Sequence, residues 1–578
     1  MKIKGLLLGM LACAAMVACT NEDIVENNNG GQPEKANANL TLSISTSTGS
    51  GRAADAEVGD DTENGTTEEG NIQDAVVVIS PAGESQATGL VRYYASVDVV
   101  SGAFEPSFQL KQTGKYNVLV ILNPCADIAG KAQEDVTASE LYSYVTNYSI
   151  PVGADNDASV DVVTKKGHAR NHFMMANQEE VTVEITNQDP ERPTTKTVLV
   201  ERVVSKITFT PNDNKNKYPV NVDVTTIATE IKAGWLKTEV SGNTQYTYIT
   251  VLNRAFLDES DEEIWILLEN GEEKARYELA GDLGDYTGFV DGKETTASVF
   301  VNTTKTGPFH YAEGEIKRTK EIWNVQLDKY AMVNLSKTVY AVRHKTVDDW
   351  KTIIPMGLLT GNDYLVDPKS TEKNQVELAN GLWNGEDAQN YFFNTVNELQ
   401  TSQDIYDSEF LKKLPTEVIE IGENAKSQDV FLTYCLENVI TKTQQQKGMV
   451  TGIVFRGEML DATGKNVGTI YKYDGLFFRS MDALKASVPN YESEKLVTYT
   501  NGHCYYYAPI EHFKGDENNM QYAIMRNNIY SLKITSFKGI GSSTIIPEDG
   551  TTIDDESAYL ELTTTIAPWV VRFNNIEF

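Results

Sequence analysis

Apolar residues recur at every second position through most of this chain, and that alternation predicts β-strands with one buried face. In Ala38-Asn39-Leu40-Thr41-Leu42-Ser43-Ile44-Ser45-Thr46, Leu40, Leu42 and Ile44 share a face while hydroxyls occupy the other. Strand-like runs follow over 75–80, 90–99, 104–110 and 116–122, the last closed by Asn123-Pro124, and the run 197–209 ends this first group. A second group includes 233–240, 246–251, 450–455, 505–508 and 528–534, and the pattern loosens between 365 and 426. One stretch leaves the period of two: Leu141, Tyr144, Val145 and Tyr148 stand at helical spacing, which predicts a short helix over 139–148 lying on a sheet face. The expected fold is mostly β: two tandem antiparallel β-sandwich units with a few short helices.

Between the two groups, Pro211-Asn212-Asp213-Asn214-Lys215-Asn216-Lys217 reads as a linker, which sets the boundary near Pro219. A chain of 578 residues is long enough for more than one core. The expected division is a leader over 1–19, a tether and first strand over 20–52, one unit over 53–218 and a second over 219–578. At the tail, Ala558-Tyr559-Leu560-Glu561-Leu562-Thr563-Thr564-Thr565-Ile566 puts Leu560, Leu562 and Ile566 on one face; Pro568 breaks the ladder, and Trp569, Val571 and Phe573 resume it. The sequence closes on Ile576-Glu577-Phe578, so this strand, about 558–578, is expected to be covered by something.

The opening segment carries Lys2 and Lys4 and then an apolar run, 5–18, too short for a stable membrane helix, which marks an export signal. It ends in Met16-Val17-Ala18-Cys19, similar to a bacterial lipobox, so Cys19 is the expected lipidation site. Asn21, Glu22, Asp23 and Glu26 then form an acidic tether that looks like the surface-export signal of Bacteroidetes lipoproteins. Arg52, within Gly49-Ser50-Gly51-Arg52-Ala53-Ala54, is the one basic residue between Lys35 and Arg92. An Arg-specific protease would therefore find a single site at Arg52–Ala53, and a cut there would release the first strand. Taken alone, Arg52 reads equally as a solvated loop residue.

Composition narrows the partners. With 50 basic against 82 acidic residues the net charge is −32, which repels phosphate backbones and excludes nucleic acid as a natural partner. Of five cysteines, Cys13 and Cys19 lie in the leader, and Cys125, Cys435 and Cys504 are too scattered for a disulfide framework or a metal knuckle. His168 and His172 are four apart, but Lys165, Lys166 and Gly167 point to a loop rather than a metal-binding helix. His503 and Cys504 are neighbours on a strand, so their side chains point to opposite faces and form no nucleophile–base pair. The run Asp258-Glu259-Ser260-Asp261-Glu262-Glu263 lacks the alternate spacing and glycine of a calcium loop. Lys514-Gly515-Asp516 and Gly539-Ile540-Gly541 are motifs frequent by chance. No cluster combines nucleophile, base and orienting group, so neither an enzyme nor a cofactor is expected.

Six short stretches carry a family resemblance: Gly51-Arg52-Ala53, Tyr505-Tyr506-Tyr507, Met525-Arg526-Asn527-Asn528-Ile529-Tyr530, Ile534-Thr535-Ser536-Phe537, Ala567-Pro568-Trp569 and Ile576-Glu577-Phe578. With them the chain resembles the type V fimbrillins of Bacteroidales, nearest to those that build the shaft of the short (minor) fimbriae of Porphyromonas; 362–443 matches loosely. The resemblance implies transthyretin-like sandwiches and a precursor exported to the outer membrane as a lipoprotein. It further implies cleavage after Arg52 by an Arg-specific protease and polymerisation by donor-strand exchange into a cell-surface fimbrium serving adhesion, biofilm formation and virulence. On that reading the strand with Leu40, Leu42 and Ile44 leaves, and Leu560, Leu562 and Ile566 of another copy take their places, with Trp569 and Phe573 as later anchors. The partners implied are copies of the same chain, accessory tip and anchor subunits, and host or bacterial surface proteins or glycans. Two other readings fit the same leader and strands: a non-polymerising glycan-binding surface lipoprotein, and a tip or anchor subunit of the same fimbria.

Overall fold

The structure, a computed structural model, describes residues 38–46, 63–64 and, with breaks, 68–346, 352–369, 391–395, 411–416, 429–439, 449–544 and 560–570. Cys19, Arg52, Ala53 and Phe573 lie outside the described residues. The fold is mostly β, as expected.

The first sheet runs, edge to edge, Leu90–Tyr94, Ala75–Pro81, Gly114–Leu122, Met175–Asn177, Thr194–Arg202, Ala38–Thr46 and Ser107–Leu110, with Val181–Ile185 also beside Gly114–Leu122. Ala75–Pro81 is apolar without alternation because both its faces are covered. Val77 and Ile79 face a core shared with Leu40, Leu42 and Ile44, and Val76 and Val78 face a second core under the helix Ala138–Asn147. That helix starts where the Thr137 hydroxyl accepts the Glu140 amide while the Glu140 carboxylate accepts the Thr137 amide, and it buries Leu141 and Val145.

The run 197–209 divides in two. Thr194–Arg202 stays in the first sheet, Val203 is the break, and Val204–Thr210 joins another sheet, antiparallel to Val430–Leu436 and parallel to Asn528–Phe537. The Asn/Lys-rich stretch read as a linker forms a built turn. Asn212 and Asn216 exchange side-chain–backbone hydrogen bonds, Asn216 is buried, and Lys215 and Asn216 take left-handed conformations that asparagine tolerates well. Pro219 lies inside the strand Lys217–Ser241, opposite Asn324. That strand forms a long ribbon with Pro308–Val333, paired from Lys217↔Gln326 to Trp235↔Pro308, and the sheet continues through Gly452–Leu460 to His503–Pro509. Trp323, Phe209, Phe455, Tyr506 and Tyr530 fill the core beneath it.

The two sheet systems share a core: Val76, Leu119 and Phe173 pack in one cluster with Val339, Ala341, Leu436 and Ile529. Charged groups are buried at the same junction. Arg343 reaches Glu201 at 2.5 Å, and Arg526 grips Glu437 with Nε at 2.8 Å and Nη2 at 2.6 Å while donating to the Tyr340 and Ala341 carbonyls. His344 stacks on Tyr340 here and donates from Nδ1 to the Val342 carbonyl at 2.9 Å. Burial pulls its imidazole down to about 4. Between pH 6.5 and 4 the unfolded chain therefore binds a proton that the fold refuses, and stability falls as pH drops through that window, by up to about 3 kcal/mol from this group. His344→Phe should flatten that part of the curve in urea titrations at pH 7 and pH 4.5; an unchanged pH slope would contradict the assignment.

Candidate functional site

The first strand, Ala38–Thr46, is an interior strand of its sheet. On one side it runs parallel to Thr194–Arg202, from Leu40↔Thr194 to Thr46↔Val200; on the other it runs antiparallel to Ser107–Leu110. The second edge is extended by Leu42 N to Pro106 O at 3.0 Å, Ile44 N to Phe104 O at 2.9 Å and the return bond from Phe104 N at 3.1 Å. Ala38, Leu40, Leu42 and Ile44 are fully buried against Phe104, Phe108, Tyr116, Val118, Val198 and Val200. On the opposite face, Thr41 meets the Ser107 hydroxyl at 3.0 Å and Ser43 donates to Glu105 at 3.1 Å.

Burying an aliphatic side chain contributes about 1.5–3 kcal/mol, so Leu40, Leu42 and Ile44 together represent roughly 5–9 kcal/mol of the fold. Taking this strand away would open an apolar slot and unpair two strand edges at once. Such a slot invites another extended segment.

The chain beyond the expected cut is bolted independently of the first strand. Glu69 is buried, with its carboxylate accepting from Lys206 at 2.9 Å and from the Tyr434 hydroxyl at 2.7 Å, and its carbonyl accepting from Arg202. Asn123 then accepts the Gln73 amide and donates to the Asn71 and Phe173 carbonyls. Neither residue stands out in the sequence: Glu69 sits in an acidic run that reads as solvated, and Asn123 reads as a turn residue.

At the other end, Leu560–Val570 pairs antiparallel with Asn528–Phe537, with a register shift at Ile534/Ser536. Its far end, Trp569 and Val570, also pairs in parallel with Glu63 and Asn64. Among the described residues it lies next to the edge of its sheet, with this two-residue strand outside it. Leu562 and Thr564 are half-buried, and Leu562 packs against the core around Trp323 and Phe455. Of the residues singled out in sequence, Leu40, Leu42 and Ile44 come together in one slot, and the backbones of Leu560, Leu562, Ile566 and Trp569 lie on one separate strand.

His168, residues 258–262 and residues 514–516 lie outside the described residues, and Cys504, Gly539 and Gly541 have structural roles. Burial pushes the Cys504 thiol up to about 12, and its sulfur lies 3.5 Å from the Tyr506 hydroxyl. Gly539 and Gly541 accept through their carbonyls from Tyr506 and Tyr499, both at 3.0 Å, and a Cβ on Gly541 would strike the Tyr505 backbone. Among the described residues no three His, Cys, Asp or Glu side chains cluster as a metal site, and no helix is long and apolar enough to cross a membrane.

A mostly β protein with an interior strand that precedes the lone basic residue Arg52, and an apolar strand over Leu560–Val570, is the class these features define. Residues 497–575 match the family described as "Major fimbrial subunit protein type IV, Fimbrillin, C-terminal". Over that C-terminal stretch the chain is similar to the fimbrillins, in line with the resemblance read from its sequence. Among solved structures it is similar to a fimbrillin from Porphyromonas gingivalis W83 (TM-score 0.37, 12% identity, 93% of this chain and 99% of that one). It is also similar to a putative cell adhesion protein from Parabacteroides distasonis (0.36, 10%, 93% and 99%) and to a C-terminally truncated tip fimbrial protein from Porphyromonas gingivalis (0.34, 8%, 92% and 99%). No protein of curated function matches.

Proposed function

We propose that this chain is the shaft subunit of a fimbria: exported as an outer-membrane lipoprotein on Cys19, cut between Arg52 and Ala53 by an Arg-specific protease, and polymerised by donor-strand exchange. The observation that carries this reading is the first strand, fully buried between two neighbours yet joined to the rest of the fold only through the segment that holds Arg52. Glu69 and Asn123 would hold the remainder in place once that strand is gone. A neighbouring copy's C-terminal strand, about 558–578, would fill the slot with Leu560 and Leu562, with Trp569 and Phe573 as later anchors. Because the slot and the donor belong to different parts of one chain, the contact is head-to-tail and repeats into a fibre rather than closing a pair. The two units, 53–218 and 219–578, would be tandem transthyretin-like sandwiches. Accessory tip and anchor subunits, and host or bacterial surface proteins or glycans, would be the further partners in adhesion and biofilm formation.

The test is Arg52→Ala. The variant should accumulate as a lipidated monomer that retains Leu40–Ile44, with no fibres by electron microscopy; fibres in normal number from an uncut chain would overturn the reading.

A further inference from the structure

The slot left by the first strand constrains what can enter it, position by position. Its buried positions hold Ala38, Leu40, Leu42 and Ile44, one small side chain followed by three large aliphatic ones at strict alternation. Its backbone requires N–H donors at the places of Leu42 and Ile44, which serve the Pro106 and Phe104 carbonyls. Read against these positions, the tail offers one matching frame. Ala558-Tyr-Leu560-Glu-Leu562-Thr-Thr564-Thr-Ile566 repeats the order of Ala38-Asn-Leu40-Thr-Leu42-Ser-Ile44-Ser-Thr46, with Ala, Leu and Leu in the same alternate places and hydroxyls at 563 and 565 as at 43 and 45.

Other frames fail on size or hydrogen bonding. Moving two residues along puts Leu560 in the place of the small, fully buried Ala38 and Thr564 in that of Leu42. Moving four puts Pro568, which has no N–H, where Ile44 donates to Phe104. Starting at Ala567 puts Trp569 in the place of Leu40. Strict alternation also moves Ile566 out of the place of Ile44 and into that of Thr46.

Resting on the donor-strand reading, we infer that the donor enters in the frame that sets Leu560, Leu562 and Thr564 in the places of Leu40, Leu42 and Ile44, and that Thr564 is the residue that tunes the exchange. The one clear mismatch inside the slot is Thr564 for Ile44: a smaller side chain carrying a hydroxyl among Phe104, Val198 and other apolar groups. The first strand is therefore the better occupant and holds the slot until proteolysis removes it, after which the donor is accepted. On its own sheet the donor strand has Leu562 and Thr564 only half-buried. At the rim, Thr563 replaces Ser43 as a donor to Glu105.

The experiment uses nine-residue peptides spanning Ala558–Ile566, added in excess while the full-length precursor is being cleaved. A seated peptide caps a growing end, so the concentration that halves fibre yield reads its fit, and labelled peptide recovered with the protein confirms seating. The wild-type peptide should cap; Thr564→Ile should cap at about a tenfold lower concentration; Leu562→Arg should be inert; Ile566→Asn should cap like wild type. If Ile566→Asn is inert and Thr564→Ile gives no gain, the frame is wrong while donor-strand exchange stands. If fibres form and no peptide is ever recovered with the protein, both fail.

Discussion

A chain ending at residue 557 is expected to reach the cell surface and be cut after Arg52, yet to release monomers and no fibres. The expectation follows from the slot: without its first strand the fold exposes two strand edges and the apolar positions of Ala38, Leu40, Leu42 and Ile44, and the truncated chain has no donor to offer. Truncation also removes the partner of Asn528–Phe537, so loss of fibres alone could reflect loss of the fold. Supplying the Ala558–Ile566 peptide separates the two, because a folded, cut subunit should bind it one to one. Fibres of normal length from the truncated chain, counted by electron microscopy, would contradict the account.

Glu437→Gln is expected to cost about 3–5 kcal/mol of stability, read as a lower urea midpoint. Arg526 and Glu437 are both fully buried, and Arg526 would keep its charge in the interior with backbone carbonyls in contact and only the more distant Glu201 carboxylate, itself paired with Arg343, to answer it. Burial works against the charged guanidinium, and the Glu437 carboxylate more than compensates, which is what the substitution takes away. Adding Arg526→Met should restore part of the loss, because the stranded charge disappears with it. A Glu437→Gln variant within 1 kcal/mol of the parent would mean that the pair does not weld the junction.

The slot was legible in the sequence because burial of a single face leaves a period-two signature: Leu40, Leu42 and Ile44 stand out without any structure. The tail was legible for the same reason, as was the helix over Leu141 and Val145. The change of sheet at Val203 was not, since strand-favouring residues continue on both sides of it, Val198 and Val200 before and Val204 and Ile207 after, and the break carries no Gly or Pro. Nor was the ribbon of Lys217–Ser241 with Pro308–Val333. Part of it carries polar pairs, Asp223 opposite Lys320 and Thr226 opposite Lys317, so its sequence looks like a solvated connection. Buried anchors such as Glu69 and Arg526 are invisible in one dimension, because what makes them structural is a partner far away in the chain, Tyr434 for one and Glu437 for the other.

The central claim, that one copy's C-terminal strand replaces another's first strand, is tested most directly by covalent trapping across that contact. Thr195 and Thr197 are exposed and stand opposite Thr41 and Ser43, the positions that Glu561 and Thr563 would occupy. Chains carrying Thr195→Cys with Glu561→Cys, or Thr197→Cys with Thr563→Cys, should give a disulfide-linked ladder on non-reducing gels after cleavage at Arg52, absent when either cysteine is missing. Assembled fibres of both double variants that run entirely as monomers would contradict it.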